Sequence, residues 1–149
     1  MREVKGDIWD YYDKGNWIVI TTNGTVKSNG EAVMGRGIAL EAKQRDPKLP
    51  KLLGNSIKES GNIPHFFINI ESNRYIISLP VKHKWFEKAD KVLIEEGIRA
   101  LSQWAERSDI EPIYMVRPGC GNGKLDWKDV KPILERYLDD RFIIVKKGV

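Results

Sequence analysis

"RPGCGNGKLDW" (residues 117–127) sets three glycines within five positions directly behind the apolar run "EPIYMV". Glycine gives up more conformational freedom on folding than any other residue, so such a cluster is costly unless the backbone must turn sharply or approach something closely. A buried strand, a glycine loop and a helix start capped by Asp126 follow one another here. That junction belongs to an α/β domain, and its backbone N–H groups suit an anion, a phosphate above all.

Working outward, "NWIVITT" (16–22) is apolar and β-branched and predicts a buried strand. Residues 35–46 predict a helix, with Ile38, Ala39 and Ala42 at helical spacing and a stop before Pro47. A second helix is expected over 50–60. "HFFINIE" (65–71) and "RYIISLP" (74–80) are consecutive strands joined at Ser72-Asn73. The longest amphipathic pattern, residues 87–106, is apolar at Ala89, Val92, Leu93, Ile98, Leu101 and Trp104. A strand over 112–117 then enters the opening loop, a helix runs from the Asp126 cap to about 138, and "RFIIVKK" (141–147) closes as a strand. Helices alternating with apolar strands predict layered α/β architecture, with ligands at the carboxyl ends of the strands.

Composition narrows the class. The 149 residues fit one domain, 1–149, at 41% hydrophobic and 31% charged. No apolar run approaches the roughly 20 residues that span a bilayer, so no membrane partner is expected. The start "MREVKGDIWD" has no apolar core of a signal peptide, and one cysteine forbids an intrachain disulfide; both lead to the expectation of a cytoplasmic protein. The net charge of +4 admits an anionic ligand, but acids are interspersed among the bases, so charge alone does not select nucleic acid. Nothing in the pattern demands a dimer, and a monomer is expected.

Two glycine turns lie at strand–helix junctions, "VMGRGIA" (33–39) and "PGCGNGKLDW" (118–127). Neither is a known nucleotide motif. A P-loop would need glycine at Pro118 and a hydroxyl at Leu125, and the dinucleotide fingerprint would need glycine at Leu40. What survives is a pair of separate loops able to clamp a diphosphate from both sides. No Cys/His spacing suggests a metal site, and no cofactor is expected.

The segments "GDIW", "NGEAVMGRGIALEAKQRDPKL", "SLPVKHKW" and "RPGCGNGKLDWKDVKPIL" together resemble a macro domain, the ADP-ribose-binding fold, in order and over essentially the whole chain. Within that family the resemblance is to the branch holding DNA ADP-ribosyl glycohydrolase antitoxins, terminal ADP-ribose glycohydrolases and ADP-ribose 1″-phosphate phosphatases. It implies a three-layer α/β/α domain with a central mixed sheet. It implies that Asp7 accepts from the adenine amino group, with the Ile8 backbone beside it; a carboxylate, acceptor only, suits an N–H₂. Gly35, Arg36, Gly37 and Ile38 match the loop at the distal ribose and diphosphate. Gly119, Cys120, Gly121, Asn122, Gly123, Lys124 and Leu125 match the second phosphate loop. Family asparagines before the first glycine turn orient the distal ribose: Asn29 matches by spacing and Asn23 by its place at a strand end, with a small hairpin turning at Asn29-Gly30 between them.

The resemblance also assigns the chemistry. "LPVKHKW" (79–85) sets Lys82 on the catalytic lysine of the antitoxin-like branch, with His83 displaced by one place and Trp85 bordering the distal ribose pocket. Burial or a cationic neighbour such as Lys84 would give a neutral amine able to act as base or nucleophile. Protein-directed terminal glycohydrolases carry an aspartate where this chain has Gly123, which turns the expectation toward ADP-ribose linked to a DNA base. The expected partner is therefore ADP-ribose or an ADP-ribosylated substrate, ADP-ribosylated DNA among them. An ADP-ribose 1″-phosphate phosphatase and a reader without turnover are the alternatives. Trp9, Trp17, Trp104 and Trp127 are expected in packing, and Cys120 as a small residue in a tight loop rather than a nucleophile.

Overall fold

The computed structural model describes residues 1–69 and 72–148. Six strands form one sheet: β1 (Arg2–Gly6), β2 (Trp17–Asn23), β3 (His65–Asn69), β4 (Arg74–Lys82), β5 (Ile113–Val116) and β6 (Phe142–Lys147). Their spatial order is β1-β6-β5-β2-β4-β3. All neighbours run parallel except β3, which lies antiparallel on β4 at the edge. Five helices complete the chain: α1 (Ile8–Asp13), α2 (Gly37–Arg45), α3 (Leu49–Ser60), α4 (Lys91–Ser108) and α5 (Trp127–Tyr137).

Side-chain alternation explains the layers. Along β2, Val19 joins a core cluster with Ile94, Ile98 and Leu101 of α4 and Val130 and Leu134 of α5. Its neighbours Ile18 and Ile20 join the opposite cluster with Ile8, Trp9, Ala39, Ala42 and Leu53 of α1, α2 and α3. Successive strand residues point to opposite faces, so one strand that is apolar throughout needs helices on both sides. The result is a three-layer α/β/α domain with a mixed sheet.

Every expected element forms, and two more are added. β1 is polar in sequence and exists because it pairs with β6, Arg2 opposite Ile143 through Gly6 opposite Lys147. α1 is six residues long, too short for a periodicity signal. Residues 70 and 71 of the expected "HFFINIE" strand lie outside the described residues. The long helix begins at Lys91 rather than 87, because the Asp90 carboxylate accepts from the N–H groups of Val92 and Leu93 and fixes the start there. Asp126 does occupy the N-cap of α5, but its carboxylate makes no capping hydrogen bond.

Candidate functional site

The carboxyl ends of the parallel strands open into a cleft of about 640 Å³. It is walled by the β1–α1 junction, the strand ends Thr21–Asn23 and Val81–Lys82, and the two glycine loops. This is where an open α/β sheet offers space and unpaired backbone groups.

Lys82, the last residue of β4, is 9% exposed and lines the cleft. Thr22 pairs with Pro80 but Asn23 pairs with Lys82, so β4 carries an extra residue at Val81. That bulge lets the sequence neighbours Val81 and Lys82 both reach the cleft. The ammonium donates to the Trp85 carbonyl at 3.3 Å. Burial holds the Lys82 pKa below the ordinary lysine value, and the charges of Arg36 and Lys124 push the same way. A carbonyl is its hydrogen-bond partner and no carboxylate pairs with it among the described residues. Such a lysine gives up its proton more readily than a surface one.

The glycine loops divide by what a side chain would meet. Gly119 has φ +74°, and a Cβ there would lie 3.0 Å from Ile94 Cδ1 and Leu125 Cδ1. At Gly123 it would lie 2.5 Å from the Gly119 carbonyl oxygen and 2.7 Å from Ala89 Cβ. These two are glycine because the loop folds back on itself and onto Ala89 and the first turn of α4. At Gly121 and Gly35 a Cβ would meet nothing within 4 Å, and neither φ is positive. Both line the cleft. Their lack of a side chain serves no packing in the protein; it leaves backbone bare toward the cleft. Gly37, φ +56°, sits where a Cβ would come within 2.7 Å of Asn122 Nδ2, so the two loops approach each other across the opening.

Asp7 caps α1, its Oδ1 accepting from the Trp9 N–H at 3.0 Å, and Ile8 is buried beside it; both line the cleft. Asn23 lines it too, donating to the Val33 carbonyl at 3.1 Å while its Oδ1 accepts from the Thr25 N–H at 2.9 Å. Arg36, Gly37, Ile38, Trp85, Gly119, Asn122 and Gly123 also border the space. Four expected residues do not line it. Asn29 sits in the exposed turn of the hairpin bridged at Val26 and Ala32, its Oδ1 accepting from the Glu31 N–H; matching by strand end, not by spacing, picks the asparagine in the cleft. Cys120 donates to the Pro118 carbonyl, and burial pushes its thiol pKa up, the opposite of an activated nucleophile. Leu125 packs against the core cluster, and Lys124 is not part of the wall, its effect on Lys82 coming through charge.

Other residues enter that the sequence did not flag. Arg117, one residue beyond β5, lies over the Trp127 ring at 4.7 Å and 3.6 Å from Glu3, with its buried Nε unpartnered. Trp9 is 3% exposed yet forms part of the wall, donating from its indole to Glu41 at 3.0 Å. Only an arginine directly ahead of a glycine loop signalled the first, and nothing in periodicity signals the second. Among the described residues no cluster of three or more His, Cys, Asp or Glu could hold a metal ion.

His83, next to the buried lysine, turns away from the cleft, its Nε2 3.0 Å from Asp90 Oδ2. That contact, with the backbone N–H bonds at the helix start, lowers the Asp90 pKa. Stability from it is present above the ordinary carboxylate pKa and is lost as pH falls through the lowered one. His83→Ala is expected to cost under about 1 kcal/mol, the range of exposed pairs, seen as a small Tm decrease at neutral pH. Binding in the cleft should be unchanged by it; a loss of affinity beyond about threefold would put His83 back in the site.

No family model matches the chain. In sequence it is 29% identical over 126 residues to a DNA ADP-ribosyl glycohydrolase of Mycobacterium tuberculosis, covering 80% of this chain and 36% of that protein. It is 26% identical over 132 residues to a DNA ADP-ribosyl glycohydrolase of Thermus aquaticus, covering 85% and 37%. The chain thus spans little more than a third of the length of these curated relatives. In structure it resembles the macrodomain of Thermus aquaticus DarG, with TM-score 0.79 and 24% identity over 99% of this chain and 97% of that one. It also resembles Thermosipho africanus DarTG in complex with ADP-ribose, with TM-score 0.73 and 23% identity over 87% and 37%. Six-stranded mixed sheet, flanking helices, cleft position and these likenesses agree: the chain has the macro domain fold and is similar in sequence to DNA ADP-ribosyl glycohydrolases.

Proposed function

We propose that the cleft binds ADP-ribose and that Lys82 cleaves the bond between the distal ribose and its acceptor, a DNA base. One observation carries this reading: a buried lysine with a lowered pKa stands in the wall of a cleft that both glycine loops border. The loops offer backbone N–H groups to the diphosphate, and bare backbone at Gly35 and Gly121 permits close approach. The Asp7 oxygen not used in capping accepts from the adenine amino group.

In the proposed reaction the neutral Lys82 amine attacks C1″ of the distal ribose; as the C1″–Nζ bond forms the C1″–acceptor bond breaks, and the acceptor leaves with the proton that the amine gives up. The adduct opens to an imine as its remaining N–H proton passes to the ring oxygen and the C1″–ring oxygen bond breaks. Water then cleaves the C1″–Nζ bond, releasing ADP-ribose and restoring the amine. The DNA acceptor is supported by the names of the two curated relatives and by glycine at 123, where packing on Ala89 leaves no room for an aspartate.

The test is release of ADP-ribose from ADP-ribosylated single-stranded DNA, with free ADP-ribose titrated calorimetrically. Release together with binding is expected. Binding with no release from DNA, protein or 1″-phosphate substrates would make the domain a reader. Free phosphate from the 1″-phosphate alone would make it a phosphatase, and no binding at all would end the reading of the cleft.

A further inference from the structure

Beside Lys82 the chain turns sharply through residues 84–87, closed by the Glu87 N–H donating to the Lys84 carbonyl at 3.1 Å. The central positions of such turns favour Gly, Asn, Asp, Pro and Ser. Here they hold Trp85 and Phe86, 44% and 64% exposed. The rings meet edge to face with centroids 5.6 Å apart. Neither ring belongs to a core cluster. The turn is also fixed on several sides. Lys84 N–H donates to Glu87 Oε1 at 2.9 Å, Trp85 N–H to Thr25 Oγ1 at 3.0 Å, and Asp90 N–H to the Val81 carbonyl at 2.8 Å. Two large rings are therefore held in water by a rigid scaffold.

Their surroundings are cationic. The Lys84 ammonium lies 6.0 Å from the Phe86 ring centre and the Arg36 guanidinium 5.8 Å from that of Trp85. Lys88 is exposed one turn onward. The two acids of the segment are engaged: Glu87 accepts from the Lys84 backbone, and Asp90 holds His83 and the start of α4. Among the described residues Arg36, Lys84, Lys88 and Lys124 form no ion pair. Protein interfaces favour exposed aromatics but deplete lysine. Fixed aromatic rings set among free cations suit a single nucleic-acid strand, whose bases stack and whose phosphates need neutralising.

We infer that the Trp85–Phe86 turn is a stacking platform for single-stranded DNA flanking the modified base. This rests on the proposed reading of the cleft: an acceptor joined to C1″ beside Lys82 leaves past Trp85, the next base stacks on Phe86, and Lys84 and Lys88 meet the phosphates. Phe86, Lys84 and Lys88 do not line the cleft, so the platform can be altered without touching the ADP-ribose site.

The experiment measures binding of a labelled, unmodified oligodeoxynucleotide of roughly 8 nucleotides by fluorescence anisotropy, with ADP-ribose affinity measured calorimetrically on the same proteins. Phe86→Ala should weaken the oligonucleotide by about tenfold. Lys84→Gln with Lys88→Gln should weaken it and flatten the dependence of log affinity on log salt by about 0.7 for each lysine. ADP-ribose affinity should be unchanged in both. Equal oligonucleotide binding by wild type and both variants would overturn the platform, as would equal or tighter binding of duplex DNA. Tighter binding of the same sequence as RNA would overturn its assignment to DNA. Loss of ADP-ribose binding by wild type would instead overturn the reading of the cleft, while the oligonucleotide data still decide the platform.

Discussion

Lys82→Ala should lower ADP-ribose release by at least about 10³-fold while changing ADP-ribose affinity by less than about threefold. Among the described residues of the wall only the amine has a lowered proton affinity, whereas the proposed binding draws on Asp7, the glycine loops and their backbone. Lys82→Arg should be equally inactive, because guanidinium keeps its proton at any working pH. The pH profile gives an independent check. Turnover should rise with pH through the depressed lysine pKa, and Lys124→Gln, which removes a neighbouring cation outside the wall, should shift that rise to higher pH. Stability should carry the same signature. Folded Lys82 holds its proton less tightly than the unfolded chain does, so its burden is full below the lowered pKa and is relieved as pH rises toward 10.5. Lys82→Met should therefore raise Tm at neutral pH while abolishing turnover. An active Lys82→Ala would remove the lysine from the mechanism, and a Lys82→Met protein less stable than wild type would show that its burial costs nothing.

How much of this was legible in the sequence depends on what each signal measures. Periodicity found β2 and the long helix because both bury apolar stripes, and a stripe is a property of local sequence. It missed β1, whose polar residues become a strand only by pairing with β6 about 140 residues away. It began the long helix four residues early because charged "EKAD" carries no sign of where a helix must stop, whereas a single carboxylate at Asp90 decides it. The glycine loops located the cleft, but glycine has two meanings. Gly119 and Gly123 answer to packing, and only Gly35 and Gly121 answer to open space. Sequence cannot separate these, since the crowding at Gly123 comes from the way the loop folds back on the Gly119 carbonyl and from Ala89, in the segment ahead of α4. Arg117 was faint for a similar reason: Trp127 lies ten residues on, but Glu3, its partner at the cleft, comes from the far end of the chain.

That division of the glycines predicts opposite outcomes within one loop. Gly123→Ala must push a methyl group against the Gly119 carbonyl oxygen and Ala89 Cβ, so overpacking of about 3 kcal/mol is expected, and Gly123→Asp should cost more by burying a charge. For a domain of this size the alanine variant should melt roughly 10 °C lower. Gly121→Ala meets nothing and has no positive φ to resist a side chain, so it should stabilise the protein by about 0.4–1 kcal/mol by restricting the unfolded chain. Yet ADP-ribose should bind about tenfold more weakly, because the new methyl group stands where the loop's backbone must meet the diphosphate. Gly35→Ala should repeat this across the cleft. Thermal melting and calorimetry on the four variants separate the two roles. If Gly121→Ala and Gly35→Ala bind ADP-ribose as wild type does, the bare backbone does not hold the diphosphate. In that event the loops are turns, and the affinity of the cleft must come from its side chains.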